Sequence, residues 1–196
     1  MKGPLATAST AIDELVRGCC PEDSLAHLEL ARRSLAKARD LITALPDLLR
    51  QPGPNLRRVA LEGILEFVRS DVEVDLEACH GTMRVVRPLP QVLGDPTRLR
   101  IALRNLIQNA LRHRRPNTRP DITIRAWVHA HRCAITISDN GLGLPNRQAR
   151  AMQHAGAGLT IARRSIESSG GTLAFQARRG FGTTAAVTLH ACASRD

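Results

Sequence analysis

Tyrosine is absent from this 196-residue chain, and Trp127, Phe67, Phe175 and Phe181 are its only aromatic side chains. A core must therefore be built from Leu, Ile, Val and Ala, and no stacking platform for single-stranded nucleic acid can be assembled. No apolar run approaches the ~20 residues needed to span a bilayer. Met1-Lys-Gly-Pro-Leu5 lacks the apolar stretch of a secretory signal. The five cysteines (Cys19, Cys20, Cys79, Cys133 and Cys192) form an odd set without CxxC spacing, which argues against a zinc site or a disulfide framework. Reduced thiols in a cytoplasmic protein are expected. Acidic residues are also short, at 18 against 28 Lys and Arg, a net charge of +10. Such an excess attracts polyanions, and a dense run stands at Arg112, Arg114, Arg115 and Arg119. With no helix-turn-helix signature beside it, most of this charge is assigned to solvated helix faces, and no nucleic-acid partner is expected.

Two segments of different character are present. Residues 5–18 have the periodicity of an amphipathic helix, and Ser24 is placed to cap a longer helix running to about Arg50. In the longer helix Leu28, Leu35, Ile42 and Leu49 recur every seven residues, with Ala31, Ala38 and Leu45 three residues after the first three. That seam belongs to a helical hairpin over residues 1–52, with Pro46 kinking or ending it. A hairpin this short buries its seam against a second copy, as a dimeric four-helix bundle, or against the next domain of the same chain; the dimer is the reading taken.

Gln51-Pro-Gly-Pro-Asn55 is a linker signal, and the pattern beyond it is mixed. Val59–Ser70 suggests a short strand running into a helix. Val72–Leu76 and Met83–Leu89 alternate as strands. Asp95-Pro96 caps a helix from about Thr97 to Arg112. Asp121–Ala130 and Cys133–Ser138 form strands about a tight turn, with His129 and His131 on one face. Gly158–Ser169 is a helix closed by Gly170-Gly171, and Thr172–Ala177 with Thr184–His190 makes a terminal hairpin. The expected fold is α+β: the hairpin, then an α/β sandwich over 56–196 with one mixed sheet and helices on one face.

Four motifs stand in a fixed order across this second half. They are Asn105-Leu-Ile-Gln-Asn109-Ala-Leu-Arg112, Asp139-Asn-Gly141-Leu-Gly143, Gly156-Ala-Gly158-Leu159 and Gly180-Phe-Gly182-Thr183-Thr184. Each alone is weak. Together they resemble the ATP-binding domain of sensor histidine kinases, in the superfamily of gyrase, Hsp90-type chaperones and mismatch-repair ATPases. The resemblance implies ATP and Mg2+ as cofactors, and the residues suit them. Asn105 and Asn109 lie one helical turn apart, so their amides either share a magnesium ion and its bridged phosphate oxygens or simply face solvent. Arg112, on the same face, offers a fixed cation to phosphate. Asp139, at a strand end, either accepts the exocyclic amine of adenine or belongs to an ordinary Asp-Asn-Gly turn; the adenine reading is taken. Gly141 and Gly143 allow backbone to approach the ring. Gly156 and Gly158, with Leu159, open a helix whose free amides suit phosphate oxygens, although a plain glycine cap has the same sequence. Thr183 falls where the family usually places a hydroxyl near adenine. Between Gly143 and Gly156, where the family has a mobile lid with an aromatic box, this chain has no Phe; Arg147 or Arg150 are the available substitutes.

The family phosphorylates a histidine in its first hairpin helix. Met1-Lys2-Gly3-Pro4-Leu5 resembles the tail of that histidine's motif, which sets the acceptor just before Met1. His27 sits in the wrong helix, with no Pro-Leu following it. The expected function is thus the catalytic core of a two-component kinase, truncated after its phosphoacceptor. It would be a homodimer through the hairpin, serve a response regulator receiver domain, and touch a membrane only through a missing upstream sensor region. The alternative is a non-enzymatic dimeric module that docks a regulator or a partner kinase. Incubation with γ-labelled ATP is expected to leave this chain unlabelled although it binds ATP; label on the chain contradicts that expectation.

Overall fold

The computed structural model describes residues 28, 31, 35, 53–143, 157–178 and 192 with the stretch 182–191 before it. The chain divides into two units, Met1–Arg50 and Gln51–Asp196. In the first, Leu28, Ala31 and Leu35 are helical; Ala31 is buried while Leu28 and Leu35 are 53% and 47% exposed. The rest of the expected hairpin, including the 5–18 helix and the Ser24 cap, lies outside the described residues.

The second unit runs β1 (Arg57–Ala60), α1 (Leu61–Ala78), β2 (Thr82–Val85), β3 (Gln91–Gly94), α2 (Pro96–Arg112), β4 (Asp121–His129), β5 (Arg132–Asp139), α3 (Ala157–Glu167), β6 (Thr172–Arg178) and β7 (Gly182–Ala191). The strands form one sheet in the order β1-β3-β7-β5-β4-β2, with β6 also paired to β7. Only the β2–β4 pair is parallel, so the sheet is mixed, as expected. Inward residues Ile122, Ile124, Cys133, Ile135, Ile137, Val187 and Leu189 alternate along β4, β5 and β7. They meet Val68 and Val72 of α1, Leu99, Leu103, Leu106 and Ile107 of α2, and Ile166 of α3 in one aliphatic core. Among the described aromatics only Phe175 packs against it; Phe67 and Trp127 are 59% and 49% exposed. The scarcity of aromatics is thus answered by branched aliphatic packing.

Three sequence-based expectations need correction. Val72–Leu76 is not a strand but the last part of α1. Its residues fit two periods at once: Val72 and Leu76 are four apart and buried, while Val74 points outward at 77% exposure. The phase set by Leu61, Ile64, Leu65 and Val68 decides for the helix. Met83–Leu89 is a strand only through Val85, followed by a cis Arg87–Pro88 peptide. The strand that sequence reasoning missed is β3, whose four residues give too little alternation to detect but pair with β1 throughout. Finally, His131 lies in the two-residue turn after β4 rather than on a strand with His129; Ala130 takes φ +52 there.

α2 positions the site, and its start is fixed by a buried acid. Asp95 Oδ1 accepts from the N–H groups of Thr97 and Arg98 at 2.9 and 3.1 Å. Oδ2 accepts from the Asn55 N–H at 3.0 Å and faces Arg98 Nε at 3.8 Å. Arg100 binds Asp71 through two hydrogen bonds (2.8 and 2.5 Å) and so joins α2 to α1. No described helix is long and apolar enough to cross a membrane. Asp95→Ala is expected to destabilise the domain by about 2 kcal/mol in urea unfolding, the upper end for a lost N-cap, with Asp95→Asn retaining part of the loss; an unchanged midpoint for Asp95→Ala would refute the capping role.

Candidate functional site

Asp139 ends β5 and is half-buried. Its Oδ1 accepts from the Gly141 N–H at 2.8 Å and from the Thr183 N–H at 3.1 Å. One carboxylate oxygen thus joins the end of β5, the turn after it and the start of β7. The packing is close: a side chain on Gly182 would begin 1.9 Å from the Asp139 carbonyl oxygen, and its φ of +92° favours glycine independently. Burial pushes the Asp139 carboxyl above the ordinary carboxylate range, while the two main-chain donors and the neighbouring His113 pull it down. Burial, and then the Arg112 charge, hold the His113 imidazole below its usual value, with Asp139 opposing them.

On α2, Asn105 and Asn109 form a half-exposed strip beside the buried Leu106, Ile107 and Ala110. The Asn105 Nδ2 group donates back to the Ile101 carbonyl at 2.8 Å, and Oδ1 faces α3. That oxygen lies 2.9 Å from where a Gly158 side chain would begin, so the glycine admits it to the first turn of α3. A neutral carbonyl oxygen fixed in this way is a fitting ligand for a hard cation such as Mg2+. Arg112 is exposed in the last turn of α2, seven residues or about 10 Å further along the axis. Leu159 packs partly on the core. Gly156 and the lid segment 144–155 lie outside the described residues.

The structure therefore brings Asn105 together with Gly158, and Asp139 with Gly141 and Thr183. The two groups are joined through the end of α2, where the His113 carbonyl accepts from the Leu142 N–H at 3.0 Å. Gly143 follows with φ +78°. Sequence reasoning quoted Gly182 within a motif without assigning it to the site. It missed Asn140, whose Oδ1 accepts from the Asp121 N–H and whose Nδ2 donates to the Arg119 carbonyl, both at 2.9 Å. It also missed Arg115, whose Nε donates to the Gly141 carbonyl at 3.0 Å. The Asp-Asn-Gly sequence was the available signal for Asn140; nothing local marks Arg115. A separate groove of about 650 Å3 between α1 and β2, lined by Arg69, Glu73, Glu77 and His80 among others, contains none of the expected nucleotide residues.

These groups are carried by a domain of one mixed sheet packed against helices over an aliphatic core. Residues 94–192, half of the chain, match the family "Histidine kinase-, DNA gyrase B-, and HSP90-like ATPase". The chain belongs to this family, and carries the ATP-binding catalytic region of the sensor histidine kinase type. It is 32% identical over 133 residues to the sensor histidine kinase GacS of Pseudomonas protegens, covering 57% of this chain and 14% of that protein. It is 26% identical over 226 aligned positions to the adaptive-response sensory kinase SasA of Synechococcus elongatus, covering 96% of this chain and 56% of that one. The chain thus spans little more than half of these relatives' length at most. Among solved structures, the Acinetobacter baumannii histidine kinase AdeS shares the fold with a TM-score of 0.61 at 18% identity, covering 95% of this chain and 94% of that one. The histidine kinase ThkA, in complex with the response regulator protein TrrA, has a TM-score of 0.69 at 17% identity, covering 95% and 57%.

A raised native-state pKa means that folded Asp139 holds its proton to higher pH than the unfolded chain does. Stability therefore falls as pH rises through that window and levels off above it. Asp139→Asn removes this slope and keeps an oxygen for both main-chain donors. Its melting temperature is expected to match or exceed the wild type at neutral pH, with any advantage vanishing on acidification. A lower melting temperature for Asp139→Asn at neutral pH would contradict the assigned burial cost.

Proposed function

We propose that this chain is the ATP-binding catalytic core of a two-component sensor histidine kinase, transferring the γ-phosphoryl of ATP to a histidine and then to an aspartate of a response regulator receiver domain. The observation that supports the reading is that Asn105 Oδ1 meets the first turn of α3 at Gly158, while the half-buried Asp139 is tied to Gly141 and Thr183 and, through the Leu142–His113 bond, to the end of the same α2 helix. Asp139 reads the exocyclic amine of adenine, which guanine lacks at that position. Gly141, Gly143 and Thr183 shape the base subsite. Asn105 and Asn109 hold Mg2+, and Arg112 with the Gly156, Gly158 and Leu159 backbone holds the phosphates. Bound magnesium would neutralise phosphate charge. The residues' own contribution is to orient the triphosphate in line with the acceptor imidazole, whose nitrogen bonds to phosphorus as the β–γ bridging oxygen leaves with ADP.

Residues 56–196 are assigned to ATP binding, and residues 1–52 to a dimerisation hairpin that forms a homodimer and receives the regulator. The helical Leu28 and Leu35, apolar and half-exposed, suit a seam awaiting a partner. ThkA, which shares the fold, is the histidine kinase seen with a response regulator. A non-enzymatic module that docks a regulator or kinase through the hairpin remains the rival reading, favoured only if nucleotide is not bound.

Calorimetry with a non-hydrolysable ATP analogue and Mg2+, followed by phosphotransfer to a separately supplied histidine-bearing hairpin, tests the proposal. The chain is expected to bind the analogue and to label the hairpin. Asn105→Ala and Asn109→Ala are expected to lower transfer roughly 10²-fold, the scale of misplacing a reacting group. No heat of binding, with regulator binding intact, overturns the kinase reading in favour of the module.

A further inference from the structure

Four hydrogen bonds tie the turn at Asn140–Leu142 to the segment that leaves α2. Two of them grip a single peptide unit. The Gly141 carbonyl accepts from Arg115 Nε at 3.0 Å, and the Leu142 N–H donates to the His113 carbonyl at 3.0 Å. The other two engage both ends of the Asn140 amide, with the Arg119 carbonyl and the Asp121 N–H at 2.9 Å. A peptide held by both its carbonyl and its N–H cannot rotate without losing both bonds. The N–H on the other side of Gly141 is the one that orients Asp139 Oδ1.

We propose that Arg115 is a positioning residue for base recognition. By clamping the Gly141–Leu142 peptide to the end of α2, it fixes the Asp139 carboxylate relative to the amide strip on the same helix, and so sets the preference for adenine over guanine. The inference rests on the assignment of Asp139 as the adenine reader. Arg115 is half-buried, and its bond to a main-chain carbonyl needs the planar guanidinium, which the flexible point charge of lysine does not reproduce. Its neighbour Arg114 carries the same charge but donates to the Leu111 carbonyl within its own helix end, which makes it the matched control.

The experiment measures equilibrium affinity for ATP and GTP analogues, with melting temperature alongside, in the full chain and in Arg115→Ala, Arg115→Lys, Arg114→Ala and Asp139→Asn. A lost charge-assisted hydrogen bond corresponds to about tenfold in affinity. Arg115→Ala and Arg115→Lys are each expected to weaken ATP binding about tenfold and to lower the ATP-to-GTP affinity ratio, while Arg114→Ala changes neither. A merely structural role would lower the melting temperature and leave that ratio unchanged. Should Arg115→Ala fail to fold, Arg115→Lys decides alone. Full rescue by lysine, or an equal effect of Arg114→Ala, means that charge rather than the clamp is responsible and overturns the proposal. If Asp139→Asn alters the ratio and the Arg115 variants do not, the clamp fails while the base reading stands. If Asp139→Asn leaves the ratio unchanged, the base reading fails and the proposal falls with it.

Discussion

One carboxylate oxygen organises the end of the sheet where β5 and β7 meet. Asp139 Oδ1 receives main-chain N–H groups from Gly141 and Thr183, and the chain at Gly182 passes so close that no side chain fits. The arrangement works because β5 and β7 are already neighbours along seven paired positions, from Arg132 opposite His190 to Ser138 opposite Thr184. The sheet brings the two chain segments together, and the carboxylate then satisfies two donors that the ladder leaves over at its end. A buried acid in this position strains against its own ionisation. On the proposed reading the acid is kept because an anionic acceptor there faces the adenine amine.

The second constraint is α2. Its first turn is anchored by Asp95, its middle is buried on one side in the aliphatic core, and its last carbonyl is occupied by the turn after β5. The amide strip at Asn105 and Asn109 is therefore carried on an element fixed at both ends. On the proposed reading, a helix held at both ends keeps the two metal-binding amides at constant separation. The sequence between Gly143 and Gly156 contains no Phe, and on the proposed reading the support for the nucleotide lies in α2.

Much of this was legible in the sequence because the informative residues are those whose chemistry contradicts their setting. Asn105 and Asn109 interrupt an apolar helix, and Asp139 ends an apolar strand ahead of two glycines. Local patterns also located α2, β4, β5, α3 and the terminal strand pair to within a few residues. What escaped was decided at a distance. Val72, Val74 and Leu76 alternate locally, and only the phase of the preceding helical turns assigns them to α1. β3 has four residues and exists because β1 and the end of β7 flank it. Arg115 stands in a run of arginines, and its partner Gly141 is 26 residues away. No local property separates the arginine that clamps a peptide from the one that folds back on its own helix.

The same distinction explains what the net charge of +10 does and does not mean. Among the described residues, Arg84 pairs with Asp121, Arg87 with Glu62, Arg98 with Asp95, Arg100 with Asp71 and Arg163 with Glu167. Most of these pairs are exposed and contribute little stability, and they lie on separate helices and strands. Arg69, Arg114 and Arg115 also donate to carbonyl oxygens. Arginine here serves largely as a long-reach donor that joins segments of backbone. Arg112, Arg114 and Arg115 succeed one another at the end of α2, and Arg115 is bonded to the turn after β5. On the proposed reading, Asn105, Asn109 and Asp139, which carry no positive charge, position the metal and the base, and the charge of Arg112 acts on the phosphates so positioned.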